Sequence, residues 1–172
     1  MARMGIDNLK ANLTNPARTY LWEVLIPNVI GGGSDTETLL LRCQSTSIPG
    51  RTVEGITVPF KATAGVKFPG RVTFTHAWDC EFIEGEDKAV FQAFYNWLQK
   101  IVNAREGVGE AAPDVKVDIV LNLLNTKGEQ YNSLKLVGCY PEAVGNVDLN
   151  YNASEVVRFT VTFSYDWVEQ AG

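Results

Sequence analysis

The sequence predicts a mainly β fold, an antiparallel β-barrel or sandwich with one flanking α-helix. Residues 155–169 alternate large apolar with polar side chains, which is typical of a long strand with one buried face. Shorter alternating stretches recur along the chain, and residues 85–104 show the apolar period of an amphipathic helix. With 172 residues, 45% of them hydrophobic, residues 1–172 can form a single domain with its own core.

Charge and cysteine content exclude several classes of protein. The net charge is −5 and the basic residues are scattered, which argues against a nucleic-acid-binding face. The three cysteines, Cys43, Cys80 and Cys139, are too widely spaced for a zinc site or a disulfide framework, although pairing across a subunit interface stays open. The start lacks an apolar signal region and no run reaches the length of a membrane span, so we expect no stable membrane association.

The sequence of the first 46 residues indicates an arm followed by two strands. Residues 1–16 are polar and form an N-terminal arm, either a short helix or a segment that orders against a partner. Residues 18–27 and 38–46 are predicted strands of one hairpin, joined by the glycine-rich residues 31–35. These glycines are not followed by Lys and Ser or Thr opening a helix, so a plain loop is favoured over a phosphate-binding turn.

Residues 47–70 predict an extended arm or hairpin. Glycine and proline interrupt two short apolar runs there, so the segment cannot form a core of its own. Its apolar side chains need a surface, which is either the domain itself or a neighbouring subunit. The candidate subunit-interface residues are Pro49, Ile56, Val58, Phe60 and Phe68.

The second part of the chain predicts further strands around the helix. Residues 71–83 alternate as a strand, and the acidic Glu84, Glu86 and Asp87 precede the helix at the end where negative charge is favourable. Residues 115–124 and 131–140 form a predicted hairpin. A polar connection then leads into the final strand.

No residue pattern indicates catalysis. His76, the only histidine, lies on the apolar phase of its strand, which predicts a buried, hydrogen-bonded side chain rather than a base. The acidic cluster is explained by the helix start, and Arg42 is the sole positive neighbour that could activate Cys43. We therefore expect a protein that is not an enzyme, with no catalytic, cofactor-binding or metal-binding residue.

Several short motifs, taken in order, carry a resemblance to a known family. They include residues 22–27 (Trp-Glu-Val-Leu-Ile-Pro), Arg42-Cys43 leading into residues 47–51, the aromatic helix at 94–101, and Tyr140-Pro141 before the closing strand. In order and spacing they resemble the tail tube proteins of contractile-tailed bacteriophages, which are related to the tubes of R-type pyocins and type VI secretion. The loop at 31–35 and the connection at 105–113 depart from that pattern.

The resemblance implies a structural role in the virion. Six copies would form a ring, and rings would stack into a hollow tube that conducts DNA without retaining it. The implied partners are other copies of the chain, a tail sheath protein, a tape-measure protein in the lumen, a baseplate hub and a tail terminator, with assembly in the host bacterial cytoplasm. Three alternatives stay open: a tube initiator or terminator, the tube of a pyocin or secretion system, and a monomeric binding module.

A tube wall of this kind needs a polar surface along its channel. Strands with one apolar and one polar face can supply it, because the apolar face packs on the core of the subunit. Candidate lumen-facing residues, any of which could instead face outward, are Lys116, Asp118, Asn122, Arg158, Thr160, Thr162 and Ser164.

Overall fold

A computed structural model describes residues 5–27 and 29–171. Antiparallel strands dominate it, which confirms the predicted mainly β class. The helices are α1 (Ile6–Asn12), α2 (Thr36–Arg42), α3 (Ala89–Ile101) and α4 (Ala112–Val115). The strands are β1 (Trp22–Leu25), β2 (Cys43–Thr46), β3 (Arg51–Phe60), β4 (Thr63–Phe74), β5 (Ala77–Ile83), β6 (Val117–Leu124), β7 (Gln130–Val144), β8 (Arg158–Ser164) and β9 (Trp167–Gln170).

The strands form two packed sheets and a separate hairpin. The first sheet has the order β1, β6, β7, β9, and the second has the order β7, β8, β5, β2. Strands β3 and β4 pair with each other alone. The sheets are open at their edges, so of the two predicted architectures the structure adopts the sandwich and not the closed barrel.

Strand β7 belongs to both sheets because it bends at Gly138. Its first half pairs with β6 and β9, and residues 140–144 pair with β8. Gly138 has a φ of +67°, a conformation that other residues rarely adopt, and a Cβ there would collide with the Asp166 carboxylate. The backbone N–H of Gly138 donates to Asp118 Oδ1 at 3.0 Å, which holds the bend from its other side.

The last two strands of the chain, β8 and β9, follow the bend of β7. The prediction of one continuous strand over 155–169 is therefore wrong. Strand β8 ends at Ser164, and β9 begins after an interruption at Tyr165 and Asp166. The interruption shifts the alternation by one residue, so Val168 packs against the core while Trp167 is 45% exposed. The Asp166 N–H still donates to Val137 O at 2.9 Å, so the two bent segments stay paired.

Aromatic side chains fill the core between helix α3 and the second sheet. Phe94 of α3 packs on Phe82 and Phe163, with ring centroids 5.1 Å and 5.6 Å apart. Trp97 lies beside them, and its indole N–H donates to Val115 O at 2.9 Å. The apolar stripe of α3 is therefore core, as its period predicts.

Two predictions in the first half of the chain are wrong. Residues 18–27 and 38–46 do not form a hairpin, because Thr36–Arg42 is helix α2, whose start is capped by Asp35 Oδ1 accepting from the Thr38 N–H at 2.9 Å. Strand β1 pairs with β6, and β2 pairs with β5. A short apolar run is compatible with either a strand or a buried helix. The capping residue Asp35 before the run is the feature that favours the helix.

The predicted strand over 71–83 is likewise interrupted. His76 lies between β4 and β5 with a φ of +55°, and its side chain is exposed rather than buried. Its Nδ1 makes the expected hydrogen bond, to Tyr165 O at 2.8 Å.

Helix α3 begins at Ala89, and Glu84 caps it from the preceding loop. The Glu84 carboxylate accepts hydrogen bonds from the backbone N–H groups of Gly85, Val90 and Phe91. Arg42 of helix α2 pairs with Glu84 at 3.4 Å and with Asp87 at 2.7 Å. The hydrogen bonds from the Arg42 guanidinium lower the pKa of the Asp87 carboxyl to about 2.

Replacing Gly138 by Ala tests the bend of β7. We expect the free energy of unfolding to fall by about 2–4 kcal/mol, because the methyl group adds a collision with Asp166 to the cost of the positive φ. The matched control is Gly128→Ala, since Gly128 has a φ of +80° but nothing within 4 Å of a built Cβ, and it should cost about 1 kcal/mol. Urea unfolding of both variants measures the difference, and equal losses would show that the close approach to Asp166 does not matter.

Replacing Asp87 by Asn tests the ion pair with Arg42 through pH. A lowered pKa in the folded state means that the Asp87 carboxylate stabilises the fold above its unfolded pKa of about 3.9. The difference in unfolding free energy between wild type and Asp87→Asn should be constant near neutral pH and vanish as pH falls from about 4 to about 2. The control is Glu86→Gln in the same loop, for which the described structure shows no ion pair. A difference that does not change with pH would contradict this account.

Candidate assembly surfaces

The hairpin of β3 and β4 carries many apolar side chains that the domain leaves uncovered. Every residue of β3 is exposed, and so are most residues of β4. Exposed apolar surfaces of this kind are typical of sites that contact another molecule. The exposed apolar side chains are Val53, Ile56, Val58, Phe60, Val66, Phe68 and Val72.

The structure brings four of the five predicted interface residues together on this hairpin. Ile56 lies opposite Phe68 across the strands, and Val58 and Phe60 follow on the same side of β3. Their side chains are 48–60% exposed, so a partner could cover them. Pro49 is half-buried in the segment before β3. Their contact with another subunit stays a prediction.

Three further apolar residues of the hairpin, Val53, Val66 and Val72, are absent from the predicted interface set. Val66 lies opposite Val58, and Val53 lies opposite Val72. The signal that could have found them is cross-strand pairing, which needs the register of the hairpin and not the sequence of one strand.

Helix α1 offers a second uncovered surface. Ile6, Leu9 and Leu13 recur at helical spacing and are all more than half exposed, and no residue of the helix is buried. A hydrogen bond from Asn15 Nδ2 to Thr126 Oγ1, at 3.3 Å, connects the following segment to the domain. The first four residues of the predicted N-terminal arm lie outside the described residues.

The predicted lumen-facing residues lie on two different outer faces. Arg158, Thr160, Thr162 and Ser164 all point away from the core on β8 in the second sheet. Beside them, Arg158 pairs with Glu81 at 3.4 Å, and the Thr162 hydroxyl donates to Asp79 Oδ1 at 2.6 Å. This face therefore combines small hydroxyl side chains with carboxylates and a single guanidinium group.

The other predicted lumen residues belong to the first sheet and the segment leading into it. Lys116 pairs with Asp166 at 2.9 Å, and Lys135 pairs with Asp118 at 2.8 Å. The hydrogen bond from the Lys135 ammonium lowers the pKa of the Asp118 carboxyl. These ion pairs brace the bend of β7, so they already have a role within the subunit.

Asn122 presents little surface to a channel in the single subunit. It is 5% exposed, its amide donates to Glu23 Oε1 at 2.9 Å, and its Oδ1 accepts from the Ser133 hydroxyl at 2.8 Å. Alternation along β6 indicated an outward polar side chain, but a cross-strand ladder from β1 to β7 covers it. Its place in the lumen stays a prediction that the burial in the single subunit does not support.

The described residues offer little for chemistry. All three cysteines are buried, and burial raises the pKa of the Cys139 thiol to about 12 and that of Cys80 well above its usual value, so neither thiolate forms readily at neutral pH. Across residues 5–27 and 29–171 no group of three or more His, Cys, Asp or Glu side chains could hold a metal ion. In the same residues no helix is both long and apolar enough to cross a membrane.

The model of one protein family matches almost the whole chain. Residues 12–169 match the family described as phage tail tube protein. The chain belongs to the phage tail tube protein family. It is therefore a structural subunit of a phage tail tube and a component of the virion, and the resemblance found in the residues is confirmed.

Individual relatives agree with the family match. The tail tube protein of Serratia phage KSP90 is 26% identical over 152 residues, covering 86% of this chain and 85% of that protein. The sheath-tube complex of the PVC extracellular contractile injection system, in its extended state, contains a chain that matches with a TM-score of 0.67 at 15% identity, covering 98% and 99% of the two chains.

A further structural match is the tube terminating cap of the anti-feeding prophage. Its TM-score is also 0.67, at 18% identity and 91% coverage of both chains. At these identities the structural matches show only that this chain shares its fold with the matched chains, and the family match supplies the role.

Proposed function

We propose that this tail tube protein forms hexameric rings that stack into the inner tube of a contractile phage tail and conduct DNA during ejection. The observation that carries the proposal is the hairpin of β3 and β4, whose apolar side chains are uncovered in the single subunit. A subunit that assembles through the hairpin removes these side chains from water, which favours association.

The open sheet edges support lateral contacts around a ring. Strands β1 and β9 are the edges of the first sheet, and β2 and the second half of β7 are the edges of the second. Unpaired edge strands invite pairing with another chain. A contact between different surfaces of identical subunits closes into a ring when its rotation allows, and a second such contact stacks rings into a filament.

We propose that the outer face of β8 lines the channel. Thr160, Thr162 and Ser164 are small and uncharged, and the neighbouring Asp79 and Glu81 outnumber Arg158 in charge. Such a wall makes few contacts that would hold phosphate, so DNA could pass without being retained. Lys116 and Asp118 belong to the opposite side of the sandwich and would then face outward or toward a neighbour.

The remaining partners follow from the assembly. A sheath protein would surround the tube, a tape-measure protein would occupy the lumen before DNA, and a baseplate hub and a terminator would bound the two ends. The similar chains come from a sheath-tube complex and a terminating cap, which supports contacts with a sheath and a terminator for the same fold. Assembly would take place in the cytoplasm of the host bacterium.

A second candidate role is a tube initiator or terminator that forms one ring. It is favoured by the terminating cap, whose TM-score equals that of the sheath-tube chain. Unlimited stacking of the purified protein would exclude the single-ring role.

Replacing Val58 and Phe60 by Asp tests the hairpin. In negative-stain electron microscopy we expect the concentrated wild-type protein to form six-fold rings or hollow tubes. The double variant should stay monomeric at concentrations where the wild type assembles. Its critical concentration for assembly should be at least about a hundredfold higher, because each contact would bury an unpaired carboxylate.

The matched control is Asn150→Asp, which places a carboxylate on an exposed loop outside the hairpin. It should assemble close to normally. Circular dichroism must show that both variants remain folded. Normal tubes from Val58→Asp/Phe60→Asp would rule out the hairpin as an assembly surface, and a wild type that forms neither rings nor tubes would overturn the proposed function.

A further inference from the structure

The two faces of the β3–β4 hairpin differ along its length. Side chains that lie directly opposite each other in a strand pair share a face, and alternate residues of one strand share a face. Val53 lies opposite Val72, whereas Val58 lies opposite Val66. Because Val53 and Val58 are five residues apart on β3, the two valine pairs lie on opposite faces.

A β-bulge in β4 makes this arrangement possible. Between the pairs Val53↔Val72 and Gly55↔Pro69, β3 advances by two residues and β4 by three. The extra residue lies in β4, so β3 keeps its alternation. Gly70 fits at the bulge because a Cβ there would meet Glu54 O at 2.9 Å and Ile56 Cγ1 at 3.1 Å.

The hairpin therefore carries two apolar patches that face in opposite directions. The root patch consists of Val53 and Val72, nearest the domain. The distal patch lies on the other face and consists of Ile56, Val58, Phe60, Val66 and Phe68. Polar pairs lie behind each patch. Thr52 and Thr73, with hydroxyl oxygens 3.3 Å apart, back the root patch, and Thr57 and Lys67 back the distal patch.

The root patch extends the core of the subunit outward. Phe74 lies on the same face next to Val72, opposite Arg51, and packs edge-on against Tyr165 with ring centroids 6.3 Å apart. Beyond Phe74 nothing in the described chain covers the patch, since Val53 and Val72 are 55% and 50% exposed. A surface that covers the root patch must lie beside the domain on that side.

Charge indicates what the covering surface is. Residues 51–74 contain four basic side chains, Arg51, Lys61, Lys67 and Arg71, and one acidic side chain, Glu54, a net charge of +3. The whole chain has a net charge of −5, so the remaining residues carry −8. The body of another copy is therefore electrostatically complementary to the hairpin.

We infer that both faces of the hairpin are covered by other copies of this chain, so that the hairpin lies between two surfaces of neighbouring subunits. The inference rests on the proposed tube function, and it adds that the root patch is an interface as well as the distal one. A hairpin lying on one surface would leave one of its valine pairs in water.

Matched valine pairs test the two faces. The variants are Val53→Thr/Val72→Thr for the root patch and Val58→Thr/Val66→Thr for the distal patch, which preserve side-chain shape and strand propensity. Each should raise the critical concentration for assembly, measured by sedimentation, by about tenfold or more. The control is Thr52→Ser/Thr73→Ser, on the polar face behind the root patch, which should assemble as wild type.

Chemical labelling provides a second readout that does not depend on assembly strength. The native cysteines are buried, so Val53→Cys and Val58→Cys each introduce one accessible thiol. Both should react with a maleimide in the monomer and both should be protected in assembled rings or tubes.

The outcomes separate this inference from the proposed function. Suppose that the Val53→Cys variant is labelled as fast in tubes as in the monomer, and that Val53→Thr/Val72→Thr assembles as wild type. That combination would overturn the two-face inference while leaving the tube role intact. Protection of the introduced thiol in both cysteine variants supports the inference. Wild-type protein that forms no assembly would overturn both.

Discussion

The bend of β7 at Gly138 is the constraint on which the rest of the domain depends. Strand β7 pairs with β6 and β9 before the bend and with β8 after it. The two sheets therefore share one continuous strand and a single core. The bend needs a positive φ and room for the Asp166 carboxylate, and both require glycine. Since β8 and β9 follow the same path, the interruption at Tyr165 and Asp166 is the partner of the bend and not a separate irregularity.

Ion pairs hold the elements that meet at the ends of the sheets. Lys116 and Asp166 join the segment before β6 to the interruption before β9, and Asp118 joins Lys135 to the Gly138 N–H. Exposed pairs of this kind contribute little each, so their value is to orient the bent strands while the aromatic core supplies the stability. On the outer face of β8, the exposed side chain of Thr160 takes part in no such ion pair within the described residues and could contact another molecule.

The sequence predicted the elements better than their pairing. The aromatic period of α3 and the hairpin after residue 50 were both found, because each signal lies within one short segment. Alternation in the final segment does not predict its interruption, since that interruption accompanies the bend at Gly138 of β7, almost thirty residues earlier. The sequence predicts a strand where helix α2 lies, because only the structure shows that Asp35 caps a helix. Alternation alone cannot show that Asn122 is covered, because its partners Glu23 and Ser133 come from two other strands.

The arrangement of the hairpin meets two opposing demands, since the free subunit must stay soluble and folded while the assembled subunit needs an apolar interface. The β3–β4 hairpin must expose apolar side chains in order to bind neighbouring subunits. Before assembly it cannot bury these side chains itself, because two strands alone are only marginally stable in water. A single continuous patch would also promote non-specific association of free subunits. By shifting β4 one residue at the bulge near Gly70, the chain divides its apolar surface between two faces. Each face alone is a weaker site, and full burial requires neighbours on both sides at once, which favours the ordered assembly over disordered pairs.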